Sequence, residues 1–246
     1  MQENLVFMHN LKKLSPRLCM SILRKGLFIA FFCLWISAIF ADVGTSTYSR
    51  SYKPKVKMSS FSTGGPLIVL DAGHGGVDEG TKVRSFQEKK ITLATVLYTK
   101  KYLEEKGYKV ILTRGKDTYV SLPRRVAIAN KIKSTIFVSV HYNASKNSIA
   151  QGIEIFYYDG KDTTKTRSSR RLANCILHYV IDQTEAASRG VKVGNYHVIR
   201  ETQMPSVLIE GGFVTNYEEC VNLKKRAYLE KIGKGIASGI DKFLSS

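Results

Sequence analysis

The sequence predicts an α/β domain: a single, mostly parallel twisted sheet of about six strands with helices on both faces. Three observations predict it. Short runs rich in Val, Ile and Leu recur with almost no polar interruption, as in strands buried on both faces. Longer amphipathic segments separate them, as crossover helices between parallel strands do. The alternation fills about 180 residues, enough for one domain with a sizeable core.

In order, strands are expected at 67–71 (LIVLD), 109–113 (KVILT), 136–140 (IFVSV), 153–157 (IEIFY) and 207–210 (VLIE). Helices are expected at 88–106, 121–132, 167–182 and 225–244. Gly107 stands where the first helix should stop, and Pro123 marks the first turn of the second. No internal repeat is present.

Residues 1–41 read as a secretory signal. Lys12, Lys13, Arg17, Arg24 and Lys25 precede the apolar run 26–40, GLFIAFFCLWISAIF, and small residues follow it. The run holds 15 residues, short of the roughly 20 that span a bilayer; an uncleaved anchor is the second reading, and Met20 an alternative start. Residues 42–65 form a basic Ser/Lys-rich linker, and 66–246 the folded domain. Export to the periplasm or cell envelope follows, with at most peripheral or signal-anchor membrane contact.

Removing the signal takes away five of 38 basic and one of 20 acidic residues, which leaves a net charge of +14. The partner surface is therefore expected to be anionic, and in that compartment it is wall polymer or lipid headgroup rather than nucleic acid. Two cysteines, Cys175 and Cys220, remain after the signal, too few for a disulfide scaffold.

In a parallel sheet, ligands collect beyond the carboxyl ends of the strands. His74 follows the first strand in DAGHGG, His141 follows the third in SVHYNAS, and Glu210 ends the last in VLIEGGF. Glycines 73, 75 and 76 are expected to clear space around the His74 ring. Two such histidines make a good pair of zinc ligands, and a catalytic zinc takes three protein ligands and keeps a fourth position for water. Glu88, opening the long helix fourteen residues after His74, is the third ligand chosen, ahead of Asp78 and Glu79 in the intervening loop. A carboxylate buried like Glu210 has its pKa raised by desolvation, which suits a general base.

The blocks LIVLDAGHGGVDEG, EKK from Glu88, LTRGKDTYVSLPRRVAIANK, FVSVHYNAS, RGVKVGNYHVIRE and MPSVLIEGGFVTNYEE resemble, in order and spacing, the zinc-dependent N-acetylmuramoyl-L-alanine amidases (the type 3 amidase family). The resemblance spans 67–244, with Ala72 standing where the family usually has proline. It implies one Zn2+ per chain held by His74, Glu88 and His141, with Glu210 as the catalytic base. The implied reaction hydrolyses the amide between N-acetylmuramic acid and L-alanine of peptidoglycan, in wall remodelling or daughter-cell separation. Asn143 and Arg200 are expected to bind substrate. Asp71 either supports a zinc-binding histidine through a hydrogen bond or shapes the turn. Some relatives carry an inserted helix that plugs the zinc site; the roughly thirty residues between IEIFYY and RGVKVGNY leave room for one packing helix only. Control is then expected from export, localisation, a protein activator or a division-machinery partner.

Two other readings compete. A zinc metallopeptidase or deacetylase would use the same ligands on another wall bond. A non-catalytic wall-binding protein would be expected to lack one of the four site residues, and all four are present. A penicillin-sensitive serine enzyme is disfavoured because neither Ser-x-x-Lys nor Lys-Thr-Gly occurs.

Overall fold

The computed structural model describes residues 65–83 and 86–246. The expected signal and all but the last residue of the expected linker lie outside the described residues. A six-stranded sheet is built from β1 (Leu67–Ala72), β4 (Lys109–Leu112), β5 (Ile136–Asn143), β6 (Ile153–Tyr157), β7 (Ser188–Val193) and β8 (Ser206–Phe213), in the order β4-β1-β5-β8-β6-β7. A two-stranded ribbon, β2 (Lys82–Val83) and β3 (Phe86–Gln87), leads into the first helix. The helices are α1 (Glu88–Glu105), α2 (Leu122–Lys131), α3 (Thr163–Thr184), α4 (His197–Arg200), α5 (Tyr217–Leu223) and α6 (Arg226–Leu244).

Four neighbouring strands, β4, β1, β5 and β8, run parallel; β6 pairs antiparallel with β8, and β7 runs parallel to β6. The predicted class therefore agrees, with one reversal at the β8–β6 seam. That seam brings the carboxyl half of β8 beside the amino half of β6.

The pleat sends alternate residues to opposite faces. On one face Ile68, Leu70, Val138, Val140, Ile155, Val207 and Ile209 pack under α1, α3 and α6. On the other, Val69, Phe137, Leu208 and Phe156 meet a smaller apolar layer from α2 and α4. The second face carries the polar and charged side chains of the sheet, because the same alternation places Asp71, Ser139, His141, Glu154 and Glu210 on it. Short α2 and α4 cover it incompletely, so His141 stays half-buried instead of sealed.

The β2–β3 ribbon and α4 were not expected, β5 and β8 run three residues past their expected ends, and three further differences have a local cause. Helix α3 starts at Thr163 rather than 167 because Asp162 caps it, its carboxylate accepting from the backbone N–H of Thr164 and Lys165 at 3.0 Å. Strand β7 lacks an apolar signal because it is a half-exposed edge containing Gly190. Helix α5 starts at an Asn216 cap and buries only Leu223, so no periodic stripe announces it.

Candidate metal and catalytic site

The site begins with the chain leaving β1. His74 adopts φ 62°, a left-handed conformation uncommon for a residue with a side chain. Two buried arginines hold that turn by its carbonyls. Arg125 Nη1 donates to Ala72 O at 2.6 Å and Nη2 to His74 O at 2.7 Å, while Arg114 Nη2 donates to Gly73 O at 2.7 Å. Arg125 is anchored in turn by Asp71, Nη1 to Oδ1 at 2.6 Å. Burial alone would raise the Asp71 pKa, but the Arg125 charge and hydrogen bonds from Thr113 and Ser139 outweigh it and lower the pKa.

Asp71 therefore shapes the turn, and its oxygens are taken by Thr113, Arg125 and Ser139 rather than by a histidine. The carboxylate that does reach a histidine is Asp78, whose Oδ1 lies 2.9 Å from His74 Nδ1. Asp78 is fixed by a bridge to Gly75 and by Gly80 N–H. Placed so, it holds the Nδ1 proton and turns Nε2 inward.

Glu88 lies under that nitrogen. Its Oε1 is 3.1 Å from His74 Nε2 and 3.2 Å from His141 Nδ1, and the ligand atoms of the three residues all lie within 4.8 Å of one another. The N-terminus of α1 puts Glu88 there, and hydrogen bonds from Thr81 N–H and Tyr142 N–H lock its carboxylate. Burial opposes ionisation of Glu88, but the two imidazoles hold its pKa far below the usual carboxylate range. His74 is the converse: burial lowers its pKa, and Glu88 and Asp78 more than reverse that, leaving it raised. Ligands 2.0–2.1 Å from a tetrahedral ion are ~3.3 Å apart. The two His–Glu separations match that spacing, and the donor set of two imidazoles and one carboxylate fits zinc, so the cluster can hold a metal ion.

Glycines give the rings their room, though not those the sequence suggested for His74. A Cβ on Gly73 would lie 2.3 Å from His141 Cε1, and one on Gly80 2.6 Å from His74 Cδ2. Gly75 instead faces Thr118 O and Arg114.

Glu210 stands opposite His141 in the β5–β8 register, within a strand that continues to Phe213. Its Oε2 is buried and, among the described residues, without a hydrogen-bond partner. Desolvation, then the charges of Glu88 and Glu154, raise its pKa well above the usual carboxylate value.

Glu154, across the antiparallel seam from Glu210, escaped the sequence reading. The available signal was a lone charge in the apolar strand IEIFY, the same signal that marks Glu210. Arg189 Nε at 2.8 Å and Lys192 Nζ at 2.6 Å bind its Oε2, and Asn143 Nδ2 binds its Oε1 at 2.7 Å. Burial raises the Glu154 pKa, but those two cations bring it below normal. Two carboxylates side by side thus have opposite proton affinities.

The residues expected to bind substrate are placed differently. The amide of Asn143 is committed to Glu154 and, through Oδ1, to Ala144 N–H. Arg200 is tied to Glu201 Oε1 at 2.7 Å and Asn195 Oδ1 at 2.6 Å. It lines a pocket of about 350 Å3 with Tyr158, Lys161, Lys165 and Gln203, a pocket that includes none of His74, Glu88, His141 or Glu210. The reason is topological: Arg200 precedes the start of β8, while Glu210 lies four residues inside it, ~13 Å further along the strand.

Comparison with known proteins gives a consistent result. The profile of a family described as N-acetylmuramoyl-L-alanine amidase matches residues 68–242. The N-acetylmuramoyl-L-alanine amidase CwlM of Bacillus licheniformis is 37% identical over 175 residues, covering 70% of this chain and 66% of that protein. The catalytic domain of the amidase CwlV from Bacillus (Paenibacillus) polymyxa is similar in structure, with a TM-score of 0.68, 36% identity and coverage of 73% of this chain and 98% of that one. The CwlD amidase of Clostridioides difficile, solved in complex with the GerS lipoprotein, gives a TM-score of 0.69, 34% identity and coverage of 74% and 99%.

Proposed function

The chain belongs to the N-acetylmuramoyl-L-alanine amidase family, and from that premise we propose that it is a zinc-dependent hydrolase acting on peptidoglycan. The bond cut is the amide between the lactyl group of N-acetylmuramic acid and L-alanine, which releases the stem peptide. His74, Glu88 and His141 would hold the ion, and Glu210 would handle the proton. The observation that carries this reading is the juxtaposition of the His–Glu–His cluster with Glu210 on the adjacent strand, whose buried Oε2 has no hydrogen-bond partner among the described residues.

Bound zinc supplies Lewis acidity that polarises a carbonyl and lowers the pKa of water. The protein's own groups do the rest. Asp78 orients His74, and the arginines fix the turn that carries it. Glu210 accepts a proton from the water that attacks the carbonyl carbon. It returns that proton to the alanine nitrogen as the C–N bond breaks, leaving a carboxylic acid on the glycan side and a free amine on the peptide. Its raised proton affinity matches both halves of that cycle.

The domain responsible is 66–246, and export by residues 1–41 would deliver it to the wall. No helix among the described residues is long and apolar enough to cross a membrane. Wall remodelling or daughter-cell separation under a protein activator is the cellular role that fits.

The test is digestion of purified peptidoglycan with mass analysis of the products, metal analysis, and the Glu210→Ala variant alongside. Stem peptides beginning with L-alanine, about one zinc per chain and an inactive variant are expected. Cleavage of another wall bond, or full activity in the variant, overturns the proposal.

A further inference from the structure

Across the partly uncovered face of the sheet, functional side chains stand in a row. His141 on β5 neighbours Glu210 on β8, Glu210 neighbours Glu154 on β6, and Arg189 and Lys192 reach Glu154 from β7. Only the metal ligand and the base have a part in the hydrolysis as proposed. The far end of the row is a cationic pair built around a buried carboxylate.

We infer that Arg189 and Lys192 form a subsite for the free α-carboxylate of an acidic second residue in the stem peptide. This rests on the amidase reading and names which part of the substrate lies on β6 and β7. Four observations carry it. Two positive charges face one negative charge, so the group keeps a net positive charge beside the site. Both cations remain accessible, Arg189 being 37% and Lys192 40% exposed at the side chain, while Glu154 is 6% exposed. They are held in place: Glu154 binds both, and the Arg189 guanidinium also packs 4.9 Å from the centre of the Phe213 ring. The spacing also selects a position along the peptide.

That spacing follows from the sheet. Strands lie ~4.8 Å apart, so the cations, drawn back onto Glu154, are about two strand spacings, ~10 Å, from His141. The reacting carbonyl has to sit between His141 and Glu210, which leaves ~7 Å to the cationic pair. An extended chain covers about 3.5 Å per residue, so the pair meets the second residue after the scissile bond. The first residue has no free carboxylate to offer, because its carboxyl is the next amide.

The experiment compares two muramyl tripeptides, N-acetylmuramoyl-L-Ala-D-Glu-L-Lys, γ-linked at glutamate, and the same compound with the glutamate α-carboxyl amidated. The zinc-loaded full chain should show a KM about 10-fold lower for the acid, the worth of one charge-assisted pair. Lys192→Gln and Arg189→Gln should raise KM for the acid peptide more than for the amidated one, and Lys192→Arg should keep the preference. Because loss of Arg189 unsettles a buried carboxylate, inhibition of the wild-type enzyme by the two free tripeptides provides a variant-free measurement with the same expected order. Equal KM values and equal inhibition, or variants that affect both peptides alike, overturn the subsite. Failure of the wild-type enzyme to release peptide from either compound overturns the amidase reading instead.

Discussion

Arg125→Met tests the support beneath the candidate metal site. The substitution keeps a flexible apolar stem and deletes the guanidinium that touches Asp71 Oδ1, Ala72 O, His74 O and Val120 O at 2.6 to 2.9 Å. Both partners of the ion pair are essentially sealed, at 3% and 1% side-chain exposure. Breaking one side of a buried pair costs about 3–5 kcal/mol, because the other charge remains buried and unpaired. For a domain of this size that is a fall in Tm of roughly 10 °C. The deficit should also depend on pH. In the wild type, Asp71 has a folded pKa below its unfolded value, so it contributes stability above about pH 4 that is lost as pH falls through the folded value. Without Arg125, burial dominates and the folded pKa rises above the unfolded one, so protonation at low pH relieves the variant. Denaturant unfolding of the metal-free protein at pH 7 and pH 4.5 should therefore show a larger difference at pH 7. Asp71→Asn in the Arg125→Met background should recover part of the loss. A variant within about 1 kcal/mol of wild type at pH 7, at the level of a surface pair, would refute this account of the turn.

Glu210→Gln should lower kcat by about 10²–10⁴-fold while leaving metal stoichiometry unchanged. Because the Glu210 pKa is raised on folding, its destabilising effect grows as pH rises through the folded value, so the variant should gain in Tm relative to wild type from pH 5 to pH 9. Gly73→Ala should weaken zinc binding by about 10–100-fold in a competitive chelator titration while the circular dichroism spectrum persists, because the new Cβ displaces the His141 ring. For His74, a raised folded pKa gives the metal-free protein stability that is full below about pH 6.5 and lost as pH rises through the folded value. The zinc-loaded protein should show the opposite slope, since binding needs neutral imidazoles; thermal scans with chelator and with zinc should diverge as pH increases.

The parts of this fold legible from sequence are those whose burial is uniform. Strands β1, β5 and β8 are sealed on both faces, so each reads as a continuous apolar run, and His141 and Glu210 stand out against it. Element β7 was hidden by the same logic, because an edge strand of exposed polar residues has no pattern to detect. His74 and Glu88 were legible from a different cue, a glycine-rich exit from a strand followed by an acidic helix start. Their support was not. Arg114 and Arg125 sit in a polar stretch, and their grip on the Ala72, Gly73 and His74 carbonyls exists only once β4 lies beside β1 and α2 covers the second face.

The antiparallel seam explains why Glu154 was harder to place than Glu210, although both are lone charges in apolar strands. A chain read as strand–helix–strand alternation predicts parallel neighbours, and in a parallel arrangement the amino half of β6 would lie at the opposite end of the sheet from Glu210. Reversal of β6 brings Glu154 directly across from Glu210, and β7, parallel to β6, brings Arg189 and Lys192 with it. The reversal thus has an electrostatic consequence. It puts a second carboxylate beside Glu210, which adds to the proton affinity of Glu210, and it supplies the cations that keep that second carboxylate ionised. A parallel β6 would leave Glu210 with desolvation and Glu88 alone, and the face beside it without positive charge. The direction of one strand therefore adds to the proton affinity that burial and Glu88 already give Glu210, and it sets the charge of the surface next to that carboxylate.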